Sequence, residues 1–218
     1  MATLTFQDTF IRADAGEPGN DWVDSSSVFA IASNRLTTDG GVDSSNYRAR
    51  RPASEASTDQ LVTLIADSIA DGKTVRVAAR YTHSPQAFYY LEVSRTALTI
   101  RAAGETNLAQ ESWTGGAVAY RCSIAVRDSG GATYVEGRVA LATNPDMVIQ
   151  SVTYNEAAAV GAGAGALLVP GDGNMSVQDF RVYDFSDNTW PNLCVSGGGC
   201  SKAQQVYSPG SWAEQGGC

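Results

Sequence analysis

Few residues in this chain have the type and spacing that chemistry requires. Two carboxylates stand inside strand-like runs, Glu92 in FYYLEV and Glu136 in YVEGRVAL. Cleavage of a glycosidic bond takes a pair of carboxyl groups about 5–9 Å apart. Each glutamate is alone on its run, so both read as surface or sheet-rim charges. The only histidine, His83, precedes Ser84 and Pro85 in an expected turn. Any Ser-His-Asp or Cys-His arrangement would have to use it, and a single loop histidine is a poor candidate. Zinc-ligand spacing is missing too. Cys194 and Cys200 could give two ligands, but no second pair follows. No catalytic residue is assigned, and the chain is read as a non-enzyme.

Binding chemistry has more to work with. Asp39-Gly40-Gly41-Val42-Asp43 and Gly171-Asp172-Gly173-Asn174 are oxygen-rich. Neither completes a calcium loop, and the same residue types make ordinary turns. Asp39, Asp43 and Asp172 are therefore the calcium candidates, and no other cofactor is expected. A sugar ring needs an exposed aromatic platform, for which Tyr47, Tyr89 and Trp113 are the candidates, each also readable as packing. Tyr89 and Tyr90 point to opposite faces of a strand, so one is expected in the core and the other outside. Trp113 stands just before a Gly115-Gly116 turn. Arg80 is expected to pair across strands with Glu92.

The cysteines divide into one and three. Cys122 shares a strand face with Tyr120 and Ile124, which reads as a buried thiol. Cys194, Cys200 and Cys218 fall in a Gly- and Ser-rich ending. Cys194 and Cys200 enclose a flexible spacer that could close into a disulfide. Cys218 could meet another tail cysteine, Cys122 or a neighbouring chain. Disulfides are rare in a reducing cytosol.

These residues must be positioned by strands, since short apolar–polar alternations separated by turn residues fill most of the chain. Thr74 to Tyr81 alternates Val75, Val77, Ala79 and Tyr81 against Arg76 and Arg80. Further strands are read at Phe88 to Val93, Ala97 to Arg101, Tyr134 to Leu141, Met147 to Tyr154 and Val177 to Phe185. Asp128-Ser129-Gly130-Gly131 reads as a hairpin turn. Residues 57–70 fit either period, and strand is preferred because the neighbours are strands. The glycines at 161, 163 and 165 argue against helix and for a tight turn into a buried strand at 166–169.

The chain has 218 residues, 43% hydrophobic and 17% charged, with a formal net charge of −8. That size suits one sandwich domain with a core large enough to need no staple. An acidic balance disfavours nucleic acid and anionic membrane. No apolar run reaches the ~20 residues of a membrane span, and no signal-peptide pattern opens the sequence. Alternation stops after Phe185, so residues 1–185 are read as the domain and residues 186–218 as a tail.

Several stretches resemble a concanavalin A-like (laminin-G-like) jelly-roll domain. These are the opening TFQDTFIRADAGEPGNDW, VFAIASNRLTT, VRVAARYTHSPQAFYYLEV and the closing SVQDFRVYDF. The resemblance covers Thr5 to Phe185. It implies an all-β fold of two antiparallel sheets, with Phe6 and Phe10 of the first strand and Phe180 and Val182 of the last on one inner face. It also implies uses in carbohydrate binding, adhesion, glycan hydrolysis and phage tail, fibre or capsid-associated roles. Hydrolases of this class carry a Glu-x-Asp-x-x-Glu type run, which this chain lacks.

With no signal peptide and a cysteine-bearing tail, the first reading is a phage virion structural protein. It would be a capsid-decorating, head-fibre or minor tail component, made in the host cytoplasm and located in the virion. Its partners would be other virion proteins, copies of itself or a host surface glycan. Trp190, Tyr207 and Trp212 would make the tail a docking arm, or the tail would fold back on its own sandwich. The alternative is a carbohydrate-binding, lectin-like module, and after it a glycoside hydrolase.

Overall fold

A computed structural model of the protein describes residues 2–15, 22–24, 29–38, 49–52, 57–83, 86–104, 106–157, 161–168, 176–186 and 190–191. The first strands are β1 (Thr3–Asp8), β2 (Trp22–Asp24), β3 (Phe29–Ala32), β4 (Arg35–Thr38), β5 (Ala49–Pro52) and β6 (Gln60–Ala66). A meander follows, β7 (Val75–His83), β8 (Gln86–Val93), β9 (Ala97–Ala102) and β10 (Thr106–Ser112). The last five are β11 (Tyr120–Ser129), β12 (Ala132–Leu141), β13 (Asn144–Glu156), β14 (Ala164–Leu168) and β15 (Ser176–Asp184).

They form two antiparallel sheets. One has seven strands in the order β10-β9-β8-β7-β14-β5-β2. The other has eight, β13-β12-β11-β6-β15-β4-β3, with β1 also pairing along β15. The chain is an all-β, jelly-roll sandwich, as the alternation implied. Phe6 lies opposite Val182 and Asp8 opposite Phe180, so the first and last strands do pair. Phe6, Phe10, Trp22 and Phe180 then pack ring against ring, with centroids 5.0–6.2 Å apart.

Alternation decides which residues fill the space between the sheets. Val62, Leu64, Val77, Leu91, Ile100, Cys122, Ile124 and Val139 all reach it and are fully buried. Each such side chain contributes about 1.5–3 kcal/mol through removal from water. Burial holds the Cys122 thiol in its neutral form, with its pKa pushed up to about 12. The small residues of β14 set how closely the sheets approach. A Cβ on Gly165 would lie 2.7 Å from Val182 and 2.9 Å from Val62. The 128–131 hairpin has Gly130 and Gly131 both at positive φ, as a two-residue turn between twisted strands requires.

Two expectations are corrected here. Strand β7 does not alternate to its end, because its pairing with β8 shifts between Ala79 and Thr82. Arg80 sits in this bulge at φ 56°. The extra residue turns Tyr81 to the outside of the seven-stranded sheet, against Ala78 and Phe88. Arg80 therefore does not pair with Glu92. Its backbone N–H donates to Gln60 Oε1 at 3.0 Å, and its Nη2 donates to Asp128 Oδ1 at 2.9 Å. It thus ties the end of β7 to β11 in the opposite sheet.

Candidate functional site

The outer face of the seven-stranded sheet gathers polar groups in register. One row across the strands runs Leu168, Arg76, Glu92, Thr99 and Gln110. The next runs Ala166, Ala78, Tyr90, Arg101 and Asn107. All point outward because Val75, Val77, Leu91, Val93, Leu98 and Ile100, one residue away along their strands, point into the core.

Glu92 is the centre of these rows. Arg76 Nε donates to Glu92 Oε2 at 2.8 Å, and Arg76 Nη2 lies 2.6 Å from the same oxygen. Arg101 Nε and Nη2 reach the other oxygen, Oε1, at 3.2 and 3.1 Å. The Arg76 guanidinium also lies over the Tyr90 ring, 5.3 Å from its centroid. The face is closed toward β14, where Tyr81, Phe88, Tyr90 and Leu168 are buried. It opens toward β10, where Asn107 and Gln110 are exposed and the Arg101 side chain is 23% exposed.

Guanidinium, carboxylate, amide and hydroxyl groups placed side by side can donate to and accept from vicinal hydroxyls. A carboxylate engaged on both oxygens by arginines is fixed as an orienting acceptor. Glu136, the other singled-out glutamate, faces outward from the opposite sheet, where Arg138 Nε donates to it at 2.6 Å. The two glutamates thus stand on opposite outer faces of the sandwich and cannot flank one bond.

The aromatic candidates are placed differently from each other. Tyr89 is corrected: it is fully buried between the sheets, and its hydroxyl donates to Glu156 Oε2 at 2.6 Å. Its ring offers no platform. Tyr90, on the other face of the strand, is fully buried as well, so the expectation of one exposed ring fails. Trp113 is half-buried, with Nε1 donating to Ser94 O at 2.7 Å and its ring edge-on to Tyr120 at 5.1 Å. Trp190 lies against Phe185 at 5.6 Å, under the Arg138 guanidinium at 3.7 Å. It rests on its own sandwich.

Tyr47, Asp39, Asp43, Asp172, Cys194, Cys200, Cys218, Tyr207 and Trp212 lie outside the described residues. Among the described residues, no group of three or more His, Cys, Asp or Glu side chains is placed to hold a metal ion.

Sequence reasoning missed Arg76, Thr99, Arg101 and Gln110. The period-2 pattern of β7, β8 and β9 already put the first three outside. What was lacking was the register. A plain hairpin continuing the His83–Gln86 pair would set Arg76 opposite Val93, an inward residue. The bulge at Arg80 shifts the pairing by one and brings Glu92 opposite Arg76.

The outer face of the eight-stranded sheet carries a second polar network. Asp179 stands in a bulge of β15 at φ 55°. Arg121 Nη2 donates to it at 2.7 Å, Arg181 Nε at 2.8 Å and Gln7 Nε2 at 3.0 Å. Burial alone would raise the pKa of Asp179, but the hydrogen bonds from Arg181 and Arg121 outweigh it and hold the carboxyl below its ordinary range. Burial lowers Arg121. Arg181 is raised, because its bond to Asp179 outweighs its own burial.

No protein-family model matches the sequence, and no curated protein is similar to it. Solved structures are similar in fold. A carbohydrate-binding module of Bacillus subtilis (CBM66) superposes with a TM-score of 0.54 at 10% identity, over 74% of this chain and 94% of that one. A Bacillus subtilis protein of unknown function with a galectin-like fold gives 0.56 at 12% identity, over 84% and 98%. A bifunctional GH43-CE protein of Bacteroides eggerthii gives 0.58 at 13% identity, over 86% of this chain and 29% of that one. At these identities the likeness is one of fold, that of a concanavalin A-like sandwich.

Proposed function

We propose that this chain is a non-catalytic carbohydrate-binding module whose ligand lies across the outer face of β8, β9 and β10. The observation that carries this reading is the Arg76–Glu92–Arg101 array. It is an orienting set of bidentate groups beside Thr99 and Gln110, on the open side of the sheet. Such convergent polar groups fix the hydroxyls of a sugar ring, and neighbouring apolar surface takes its faces. The similarity to a carbohydrate-binding module and to a galectin-like fold supports the same reading at the level of fold. The virion reading of the sequence draws no support from these neighbours, and glycan binding takes its place as first choice. Hydrolysis lacks an acid pair around Glu92.

The test is a glycan array with the full chain, followed by calorimetric titration of the best ligand. Selective binding is expected. Arg101→Ala should weaken it at least about tenfold, the scale of one lost charge-assisted contact, while the far-ultraviolet circular dichroism stays unchanged. A protein that binds no glycan, or that binds equally well without Arg101, would overturn the proposal.

A further inference from the structure

The outer face of the eight-stranded sheet is buried more deeply than an outward, charged face ordinarily is. Thr63, Arg121, Ser123, Arg127, Glu136 and Asp179 are all between 0% and 5% exposed. The Nε of Arg121 is a buried donor with no hydrogen-bond partner among the described residues. An orphaned buried donor points to a missing acceptor. The described apolar residues that pack on the cluster of this face, Leu61, Ala125, Tyr183 and Phe185, are Ala2 and Trp190.

Trp190 shows the direction of the chain. Leaving β15, it lies against Phe185 and under Arg138 of β12. One register row then runs from Arg138 through Ser123 and Thr63 to Arg181. Its middle is two small hydroxyl residues, joined at 3.0 Å, between longer arginines. That is a shallow trough with hydrogen-bonding walls, and it begins at Trp190.

We propose that this trough is a docking surface for the chain's own C-terminal segment, residues 192–218. The segment follows directly on Trp190 and Pro191. It carries Val206, Tyr207 and Trp212 as apolar anchors among glycines and serines, whose backbone carbonyls can reach Arg121 Nε. Docking is on the same chain, because the segment departs from a strand of the sheet it covers and its first aromatic is already seated there.

The chain has two lysines, Lys73 and Lys202, and only the second lies in the segment. A lysine-specific endoproteinase therefore reads the segment at one bond. The full chain is digested in reducing buffer beside a synthetic peptide of residues 187–218, and the intact 202–203 bond is followed by mass spectrometry. The full chain should be cut at least about tenfold more slowly than the peptide, since cleavage waits on local release. Trp190→Ala and Arg138→Ala should each bring the rate toward that of the peptide, with circular dichroism unchanged. If Arg138→Ala fails to fold, Trp190→Ala carries the test, because Trp190 stands outside the strands. Cleavage of the full chain at the peptide's rate overturns the proposal. So does protection that survives both substitutions, which puts the segment elsewhere. Protection lost on dilution together with a fall in mass also overturns it, since the occupant is then a second copy.

Discussion

Charged side chains in this protein are held in place by strand register. Glu92 meets Arg76 and Arg101 because they are its cross-strand neighbours on one face. Asp179 meets Arg121 and Arg181 because a bulge turns its backbone to φ 55°. The two cases differ in burial, and so in what removal does. Around Asp179 the guanidiniums of Arg121 and Arg181 are 1% and 11% exposed. Asp179→Ala would leave them facing each other without a counter-charge. Breaking one partner out of a buried pair costs about 3–5 kcal/mol. We expect a loss of that size in the free energy of unfolding by urea, with the slope of the transition unchanged. A loss under about 1 kcal/mol would mean that this face is wetter than its burial implies.

At the scale of elements, most of the sandwich is legible in the sequence and its two bulges are not. Alternation locates Cys122, Ile124 and Val126 on the inner face of β11, and it selects strand over helix for β6. Glycines identify the 130–131 turn. Arg80 is the counter-example. Nothing in VRVAARYTH marks the residue at which β7 stops alternating, since a bulge depends on what approaches from elsewhere. Here that is Gly163, whose missing side chain lets its backbone lie against Arg80. A Cβ at Gly163 would fall 2.2 Å from the Arg80 carbonyl carbon and 2.3 Å from its oxygen. Backbone cannot yield as a side chain does. Gly163→Ala should therefore cost about 1–3 kcal/mol, toward the upper end. It should also be strongly non-additive with Arg80→Ala, because one displaced bulge breaks both contacts. A double-mutant cycle that adds to within about 0.5 kcal/mol would separate the two. The site was illegible for a related reason: its residues were each visible as outward, but the one-residue shift that aligns them originates in this bulge.

On the scale of the whole molecule, two carboxylates join parts that are distant in sequence. Asp128 links Arg80 of one sheet to β11 of the other, and Asp179 links β15 to β11 within the second sheet. Burial pushes both pKa values up, but hydrogen bonds prevail. Those from Arg80 and Thr133 hold Asp128 below the ordinary range, and those from Arg181 and Arg121 do the same for Asp179. A group depressed in the folded state binds fewer protons there than in the unfolded chain. Its stabilisation is therefore complete above the unfolded value of about 3.9, and it is lost as pH falls through the lower folded value. Urea midpoints should hold between pH 7 and about 5 as far as these groups are concerned, then drop below about pH 4. Asp179→Asn should remove more of that drop than Asp128→Asn, because the Asp128 side chain is 42% exposed and solvent screens its pair. Two variants that keep the full acid slope of the parent would show that protonation elsewhere unfolds the sandwich. A slope reduced mainly by Asp128→Asn would make the contact between sheets, rather than the network on one face, the point where acid opens the fold.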